Sequence, residues 1–494
     1  MENDNKLVET IIELIIKQFP DLIDVQKNAL RDEIADKMTS NQSFADSMQS
    51  VQAIGDGSVA MGGDVSNSVI ITGDNNTVAI NIHGVQFPFD IPRPISWEEV
   101  RQTCRKTSII HLEKMASKYV ESLYVERKSA FGHVTRFFNS NEYRYLVISG
   151  HSGNGKTGFL YNLAETLQQD EQVAVLTMSC EFFQKPVRNP GSTPLLEMLA
   201  EGRIPAPDTH YGDYIGKLLN RVERDEGNKL VIIADAINET KSIDSIFQLL
   251  HALHCKGGDW IKVIISCRPH FWVQLSSNVF NTYGISPDYF YRPEEGNNKF
   301  LVMPGFTPEE MKLAYHKYQQ YYHLKPEYYK DLDNDVKSRL REPLLLWLAS
   351  EICRNDANSA KIVSKEVVGS DTRIIPAYSE KVISAFCQSH KSEHKGKTMA
   401  QVARCVLEDD IPNKMVEGER TCRNFVSEQA MSKFSDRQKD CVTEFVSRGI
   451  LEQSEVGDIS FRYERFYDYY FGIKLRELAR DTTDLNCEPE EYYH

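Results

Sequence analysis

A glycine-rich segment in the first third of the chain carries residue types that bind phosphate groups. It runs from Gly150 to Thr157 as Gly-His-Ser-Gly-Asn-Gly-Lys-Thr, between an apolar run and a helix-forming stretch. This is the pattern G-x-x-x-x-G-K-[ST], in which the glycines let backbone N–H groups converge on nucleotide phosphates. Lys156 is predicted to reach the β- and γ-phosphates, and the Thr157 hydroxyl to bind Mg²⁺ at the positive end of a helix. The predicted ligands are therefore ATP or ADP with Mg²⁺. The predicted nucleotide-binding residues in this segment are Gly150, His151, Ser152, Gly153, Asn154, Gly155, Lys156, Thr157 and Gly158.

Charged residues follow two later apolar runs. Asp235 ends the first run, in KLVIIADAINET, and is predicted to be the carboxylate on the Mg²⁺ side. Glu239, four residues on, is predicted to orient and deprotonate an attacking water. Arg268, in SCRPH at the end of the second run, is predicted to reach a γ-phosphate. The alternatives are a strand-end cap for Asp235, a solvated loop acid for Glu239 and a structural ion pair for Arg268.

A set of apolar runs alternates with helical stretches from about residue 100 onward. Continuous apolar strands alternating with helices predict a parallel sheet that is buried on both faces. Ligands of such sheets bind beyond the carboxyl ends of the strands, where the charged residues above fall. The predicted strands are 145–149, 173–180, 229–236, 263–267 and 300–304.

Composition limits the classes of protein to which the chain can belong. A chain of 494 residues is too long for one core, so three or four domains are expected. A hydrophobic content of 41% and a charged content of 26% are ordinary for a globular protein. The formal net charge of −14 argues against broad electrostatic binding to nucleic acid, although it does not exclude a local basic patch.

The sequence predicts a cytoplasmic protein without a membrane span. No apolar run approaches the ~18 residues that a span needs. The apolar N-terminal stretch is interrupted by Glu9, Glu13 and Lys17, and it lacks the basic start and cleavage site of a signal peptide. The ten cysteines show no C-x-x-C pair, which favours buried, reduced thiols over a zinc site.

The composition of the first hundred residues changes twice along the chain. Residues 1–50 predict two or three helices, because apolar residues recur there at helical spacing. Residues 51–84 contain three β-type triplets, at 59–61, 69–71 and 78–80, separated by Gly and Asn turns. This period predicts short rungs of a β-solenoid that copies from other chains complete, the alternative being a flexible linker. Residues 85–99 hold three prolines and predict a stiff extended connection.

The loop, the segment DAINE at 235–239 and the strand end SCRP together resemble the NACHT branch of the STAND NTPases, over roughly residues 115–475. These are signal-responsive switches found in animal inflammasome receptors and bacterial antiphage proteins. Where the family has a second acid, this sequence has Asn238, and an amide cannot accept a proton from water. The resemblance therefore implies that Glu239 is the base, or that hydrolysis is slow.

Later segments extend the resemblance. PGFTPEEMKLAYHKY, at 304–318, resembles the start of the family's helical domain, and Pro343 falls where a family proline packs near adenine. Residues 124–127 resemble the element that touches adenine through its backbone. Tyr463 stands where many members have a His that holds the β-phosphate of ADP. A phenol donates one hydrogen bond but is not cationic near neutral pH, so the ADP lock is expected to be weaker or built elsewhere. The surrounding aromatic residues at helical spacing also fit a packed helix core.

The predicted fold is a multidomain α/β protein with an ASCE P-loop NTPase core and a parallel sheet, followed by a helical domain and a winged helix. An N-terminal helical segment and short β-solenoid-like repeats precede the core. The predicted boundaries are 1–50 for the N-terminal helices, 51–84 for the repeats, 85–99 for the linker, 100–303 for the core, 304–370 for the helical domain, 371–478 for the winged helix and 479–494 for an acidic tail.

The favoured function is an ATP/ADP switch with slow ATPase activity that self-associates when active, in bacterial antiphage immunity. The expected partners are copies of the chain, a phage-derived or cellular trigger, and an effector chain bound through the N-terminal region. The sequence shows no sensor repeats and no effector active site. Two alternatives stay open: an AAA-type motor acting on protein or nucleic acid, and a P-loop small-molecule kinase. A motor needs aromatic pore loops and a trans arginine finger, whereas a kinase needs an arginine-rich lid and no winged helix.

Overall fold

The computed structural model describes most of residues 94–481 and parts of the N-terminal region. The described residues are 12–13, 27–28, 30–31, 34–35, 69–73, 77–82, 85–90, 94–116, 118–178, 185–187, 203–205, 219, 221–239, 250–251, 253, 258–282, 284–293, 300–354, 363–389, 398–417, 425–453 and 457–481. The chain divides into two compact units. The first consists of residues 1–118, 131–149 and 160–301, and the second of residues 119–130, 150–159 and 302–494.

Strands and helices alternate through the described chain. The strands are β1 (Val69–Gly73), β2 (Thr77–Ile82), β3 (Val85–Asp90), β4 (Ile95–Ser96), β5 (Tyr145–Ser149), β6 (Val173–Met178), β7 (Lys185–Val187), β8 (Arg203–Pro205), β9 (Val222–Glu223), β10 (Lys229–Ala234), β11 (Ile261–Cys267), β12 (Leu301–Val302), β13 (Phe425–Val426), β14 (Leu451–Gln453) and β15 (Ile459–Phe461). The helices are α1 (Trp97–Ala116), α2 (Lys128–Asn139), α3 (Lys156–Leu167), α4 (Pro269–Asn281), α5 (Pro308–Tyr322), α6 (Asn334–Leu340), α7 (Pro343–Cys353), α8 (Lys365–Val368), α9 (Asp371–Ser389), α10 (Met399–Cys405), α11 (Ile411–Glu417), α12 (Glu428–Met431), α13 (Asp436–Ser447) and α14 (Glu464–Asp481).

The largest sheet has the strand order β12-β5-β11-β10-β6, and its members β5, β11, β10 and β6 run parallel. Every residue of β5, β6 and β11 is buried, as expected for a sheet covered on both faces. The five predicted strands are confirmed, with ends that differ by at most two residues. In this order β11 separates β5, which precedes the glycine-rich loop, from β10, which precedes Asp235.

Helix α1 covers one edge of this sheet through buried polar contacts as well as apolar ones. The Ser108 hydroxyl donates to the Val175 carbonyl oxygen at 3.3 Å and accepts from the Thr177 N–H at 2.9 Å. Trp272 of α4 and Phe290 are fully buried in the same core. These contacts fix the strands whose carboxyl ends carry the charged residues of interest.

The predicted β-solenoid is wrong for the part of the repeat segment that the structure describes. β1, β2 and β3 form an antiparallel sheet in that order, with Ile71 opposite Ile80. Only three residues separate β1 from β2, and such short connections join antiparallel strands. The first triplet, at 59–61, lies outside the described residues. The prediction that this segment joins copies of the chain stays untested.

Residues 85–99 were predicted to form an extended connection, but the first of them, Val85–Asp90, form β3. Pro88 lies opposite Ala79 in the pairing of β3 with β2. Because β3 is at the edge of the three-stranded sheet, the missing N–H of a proline is tolerated there.

The second unit is mostly helical, and its buried residues form one continuous core. Tyr315 of α5, Leu348 of α7, Phe445 of α13 and Phe466 of α14 all belong to it. Near its C-terminal end, β13, β15 and β14 form a small antiparallel sheet in that order. The division of this region at residue 370 stays a prediction, since the core runs through both parts.

Of the predicted N-terminal helices, only a few residues are described. Leu30 and Ile34, four residues apart, are helical and fully buried, as expected for apolar residues at helical spacing. Helices in the described part of the chain are each too short or too polar to cross a membrane.

Candidate nucleotide-binding site

The glycine-rich loop has the backbone shape that phosphate binding requires. It follows β5 directly, and α3 begins at Lys156. Gly153 and Gly155 have φ angles of +88° and +83°, which side chains other than glycine rarely adopt. The loop sequence is therefore matched to its conformation.

The loop lysine is held inside the loop. Lys156 Nζ donates to the carbonyl oxygens of Gly150, at 2.7 Å, and His151, at 3.1 Å. His151 is exposed, whereas Ser152, Thr157 and Gly158 are half-buried. A methyl group placed on Gly158 would lie 3.8 Å from the Tyr119 ring. All nine predicted loop residues thus fall in one segment, with the ammonium group at its centre.

Asn154 is the buried member of the loop. Its side chain donates to the Met303 carbonyl oxygen at 3.0 Å, and its own carbonyl oxygen accepts from Arg127 Nη1 at 3.2 Å. A side-chain contact and a main-chain contact therefore fix the same residue to two other segments of the second unit.

Arg127 joins several main-chain groups through one guanidinium. Besides Asn154, it donates to the carbonyl oxygens of Pro304 and Gly305, and its Nε lies 3.4 Å from Glu310 Oε2. Arg127 is only 5% exposed, and this burial lowers its pKa, although the Glu310 carboxylate opposes the shift. Arginine suits this position because its planar fork offers five N–H donors.

The start of α7 lies directly against the loop. The Leu344 N–H donates to the Gly153 carbonyl oxygen at 3.1 Å. A methyl group placed on Gly153 would lie 2.6 Å from Glu342 Oε1, and one placed on Gly155 would lie 3.5 Å from Pro343 Cγ. The structure thus places Pro343, predicted to pack near adenine, beside the loop.

An ion pair links the last described helix to this contact. Arg465 Nη2, at the start of α14, donates to Glu342 Oε2 at 2.8 Å. Both side chains are about four-fifths buried. Because Glu342 packs on Gly153, α14 is connected to the loop through one intermediate side chain.

Tyr463 packs among aromatic side chains just before α14. Its ring centre lies 5.8 Å from that of Trp347 and 6.2 Å from that of Phe466. Phe466 and Tyr470 of α14 are buried, so this part of the aromatic stripe forms helix core, whereas Phe461 is buried in β15. Whether Tyr463 also senses ADP stays a prediction.

In the first unit, Asp235 lies at the end of β10 and is 6% exposed. The Ser266 hydroxyl donates to its carboxylate and accepts from the Ala236 N–H at 2.8 Å. Ala236 has a φ of +54°, an unusual value for a residue with a side chain. Ser266 therefore holds both the carboxylate and the strained backbone that follows it.

Arg268 and Glu239 lie near the same ends of neighbouring strands. Arg268 follows β11 directly and is half-buried. Glu239 ends a short 3-10 turn at Ile237–Glu239, in which Asn238 is half-buried. The roles predicted for these residues stay predictions.

The loop fits the phosphate groups of a nucleotide, because its two left-handed glycines and the ammonium of Lys156 form the cradle that such groups need. No cluster of three or more His, Cys, Asp or Glu side chains suited to a metal occurs within the described ranges. A Mg²⁺ ion bound through one hydroxyl, one carboxylate and nucleotide phosphates needs no such cluster. The six described cysteines form no disulfide, and four of them are buried.

No family model and no curated protein matches the chain. Solved structures to which it is similar include Cdc6p of Pyrobaculum aerophilum, at 9% identity and a TM-score of 0.29, covering 72% of this chain and 96% of that one. The Orc1 protein of Aeropyrum pernix in complex with DNA is 13% identical, with a TM-score of 0.32 and coverage of 72% and 94%. Drosophila ORC bound to DNA is 12% identical, with a TM-score of 0.32 and coverage of 73% and 94%. TM-scores this low do not establish a common fold, so neither DNA binding nor assembly is transferred from these proteins.

Proposed function

We propose that the chain binds ATP or ADP with Mg²⁺ at the loop from Gly150 to Thr157 and acts as a nucleotide-dependent switch of the NACHT/STAND type. The observation that carries this proposal is the contact between the loop and the start of α7, which Arg465 extends to α14. A change of nucleotide at the loop alters the groups on which Glu342 and Leu344 pack. The C-terminal helices can therefore respond to the nucleotide, as a switch requires.

The roles within the proposed site follow from side-chain chemistry. Lys156 would neutralise charge on the β- and γ-phosphates, and Thr157 and Asp235 would hold Mg²⁺. When bound, Mg²⁺ withdraws charge from the phosphate oxygens. Glu239 orients water as the base and Asn238 only positions it, while Arg268 faces the γ-phosphate. Pro343 and the backbone of residues 124–127 would contact the adenine. The phenol of Tyr463 offers one hydrogen bond, so the ADP lock is weaker than in the family or built elsewhere.

The proposal includes a winged helix over residues 371–478. It is supported by α13, which is followed by the hairpin of β14 and β15, with β13 completing a three-stranded sheet. Self-association in the ATP state, a trigger, an effector chain bound through the N-terminal region and a setting in antiphage defence belong to the proposal through the resemblance alone.

The second candidate is an AAA-type ATPase acting on protein or nucleic acid. The same strand order, with β11 between β5 and β10, suits this class equally. The two candidates differ in turnover, because a motor hydrolyses ATP continuously in the presence of its substrate, whereas a switch retains its nucleotide.

The experiment that separates them uses the purified full-length chain. Nucleotide released by denaturation is identified by mass spectrometry, and ATP turnover is measured alone and with single-stranded DNA, duplex DNA or an unfolded protein. A switch is expected to release about one nucleotide per chain and to turn over slowly under all conditions. Turnover that rises manyfold with one of these polymers would favour the AAA-type ATPase, and absence of both nucleotide and turnover would contradict both candidates.

A further inference from the structure

The sheet edges of this chain are protected to different degrees. Among the described strands of five or more residues, three lie at the edge of a sheet: β1, β3 and β6. An edge strand presents a row of unpaired N–H and C=O groups to which another strand can be added. Proteins prevent this addition with charges, prolines, very short strands or a covering element.

Two of the three edges carry such protection. The outer groups of β6 are met by Ser108 of α1, whose hydroxyl donates to the Val175 carbonyl oxygen and accepts from the Thr177 N–H. β3 contains Pro88, which has no N–H to offer, and it ends in the charged Asp90. A further strand therefore cannot form a regular ladder on either of these edges.

The third edge, that of β1, has none of these features. Its sequence over Val69–Gly73, Val-Ile-Ile-Thr-Gly, holds no proline and no charge, and four of its five residues are β-branched, which favours extended backbone. All five residues pair with β2, and in the described part of the chain β1 has a strand neighbour on that side only. Its other side is therefore suited to the addition of a strand.

We propose that β1 pairs antiparallel with β1 of a second copy of the chain, which joins two three-stranded sheets into one sheet of six strands. A strand added to β1 needs a similar unprotected edge, and among the described strands of this length β1 itself is the one that offers it. Antiparallel pairing of a strand with its own copy has two-fold symmetry, as most protein dimers do. The contact needs no nucleotide, so it goes beyond the proposed function, which places self-association in the ATP state.

The register of this contact follows from the length of β1. All five residues pair only when the two-fold axis passes beside Ile71, so that Ile71 lies opposite the same residue of the second copy. Ile70 then lies opposite Thr72 of the second copy. Moving the axis by one residue in either direction leaves three pairs (5 − 2), so the centred register has the most hydrogen bonds.

Pairing of this kind stops at two copies. The combined sheet has the strand order β3-β2-β1-β1-β2-β3, so both of its outer strands are β3. Each outer edge therefore contains Pro88, and neither edge of the combined sheet is suited to a third copy. The expected product is a closed dimer rather than a filament.

The first test uses full-length Lys156→Ala, in which association that depends on bound nucleotide is removed. Sedimentation velocity should show a monomer–dimer equilibrium as the protein concentration rises. Hydrogen exchange, followed by mass spectrometry, should slow severalfold in β1 as the dimer forms, because N–H groups of this strand gain partners. Exchange in β3 should stay unchanged, since β3 remains at an edge.

A charge exchange at Ile71 tests the register. Ile71→Lys and Ile71→Glu, each in the Lys156→Ala background, place like charges opposite each other and should weaken dimerisation about fivefold or more. An equimolar mixture of the two variants should dimerise more tightly than either alone, because opposite charges then face each other. Gln86→Lys and Gln86→Glu, in β3 at the other edge of the same sheet, are the matched controls and should leave dimerisation unchanged.

A Lys156→Ala chain that stays monomeric would overturn the proposal, and β1 would then be available to a strand of a different protein. A dimer in which exchange in β1 does not slow, or equal weakening by the Gln86 substitutions without recovery in the mixture, would also overturn it. Exchange is measured without any substitution in the sheet, so it decides even where the Ile71 variants fail to fold. If the wild type binds no ATP and this dimer still forms, the proposed function fails while the contact stands.

Discussion

Arg127 donates from Nη1 to the main-chain carbonyl oxygen of Asn154 at 3.2 Å, across 27 residues of sequence. The same guanidinium also holds the carbonyl oxygens of Pro304 and Gly305 and faces Glu310. A buried side chain from the segment before the sheet thus sets the position of a loop residue and of the segment that leads into α5.

Replacing Arg127 is expected to disturb both the loop and the fold. Arg127→Met leaves the Glu310 carboxylate buried without its ion pair, so the free energy of unfolding should fall by ~3 kcal/mol. ATP affinity should fall at least tenfold, because the Asn154 carbonyl loses its donor. Urea unfolding and calorimetry measure the two effects.

Arg127→Lys separates positioning from stability. The ammonium keeps a charge near Glu310, but it cannot reach three carbonyl oxygens in the geometry of a planar fork. Arg127→Lys should be destabilised less than Arg127→Met, but its ATP affinity should remain well below that of the wild type. Full ATP affinity in a folded Arg127→Met variant would show that this arginine does not position the loop.

The ion pair between Arg465 and Glu342 is expected to slow release of ADP. Arg465→Ala removes the link from α14 to the side chain that packs on Gly153, and a pair of this kind contributes ~1 kcal/mol. ADP release should therefore accelerate about fivefold, measured by stopped-flow fluorescence with a labelled ADP. Arg448→Ala is the control, since its ion pair with Glu444 lies within α13 and its C-terminal end. An unchanged ADP release rate in Arg465→Ala would show that the ion pair does not influence nucleotide release.

Hydrolysis is expected to depend on Glu239. Glu239→Gln should keep ATP bound and reduce turnover by roughly 10²–10⁴-fold, the usual contribution of a general base. The variant should accumulate in its ATP-bound state, measured by single-turnover kinetics and nucleotide content. Turnover at the wild-type rate would show that another residue is the base. Asp235 would then serve only as a Mg²⁺ ligand.

Above neutral pH, the pH dependence of the free energy of unfolding is expected to reflect the lowered pKa of Lys262, a buried lysine of β11. Its ammonium donates to the carbonyl oxygens of Ser140, at 2.6 Å, and Tyr143, and burial lowers its pKa from 10.5 to about 8. Between these pH values the unfolded chain binds more protons than the folded one, so wild-type stability should rise with pH relative to Lys262→Met.

The rise should be no steeper than ~1.4 kcal/mol per pH unit, the limit for one proton. Urea unfolding of both proteins at pH 7.5, 8.5 and 9.5 gives the difference, and titration of other groups cancels in it. A difference that is constant over this range, or that falls, would show that Lys262 stays charged in the folded chain.

The strands and the loop could be predicted because their signals are local. An apolar run such as 145–149 indicates a strand buried on both faces, and the glycines at 153 and 155 report the backbone conformation at their own positions. The period of the triplets at 69–71 and 78–80 did not decide between solenoid rungs and a hairpin. The antiparallel arrangement is shown by the register, which runs from Val69 opposite Ile82 to Gly73 opposite Val78.

The side-chain contacts of the site could not be predicted, because their partners are distant in sequence. Arg465 and Glu342 are 123 residues apart, and a single arginine among 57 basic residues carries no signal of its partner. Ser266 was within the strand end SCRP, but its bond to Asp235 depends on β10 and β11 being neighbours. Strand order is a property of the fold, so such contacts appear only with the structure.

The most direct test of the central claim is ATP binding by the wild type and by Lys156→Ala, measured by calorimetry in the presence of Mg²⁺. Lys433→Ala, which removes an exposed lysine of the second unit, is the control. The wild type and Lys433→Ala should bind ATP with equal affinity, and Lys156→Ala should show no detectable binding while its unfolding curve is unchanged. Wild-type ATP affinity in a folded Lys156→Ala variant would contradict nucleotide binding at this loop.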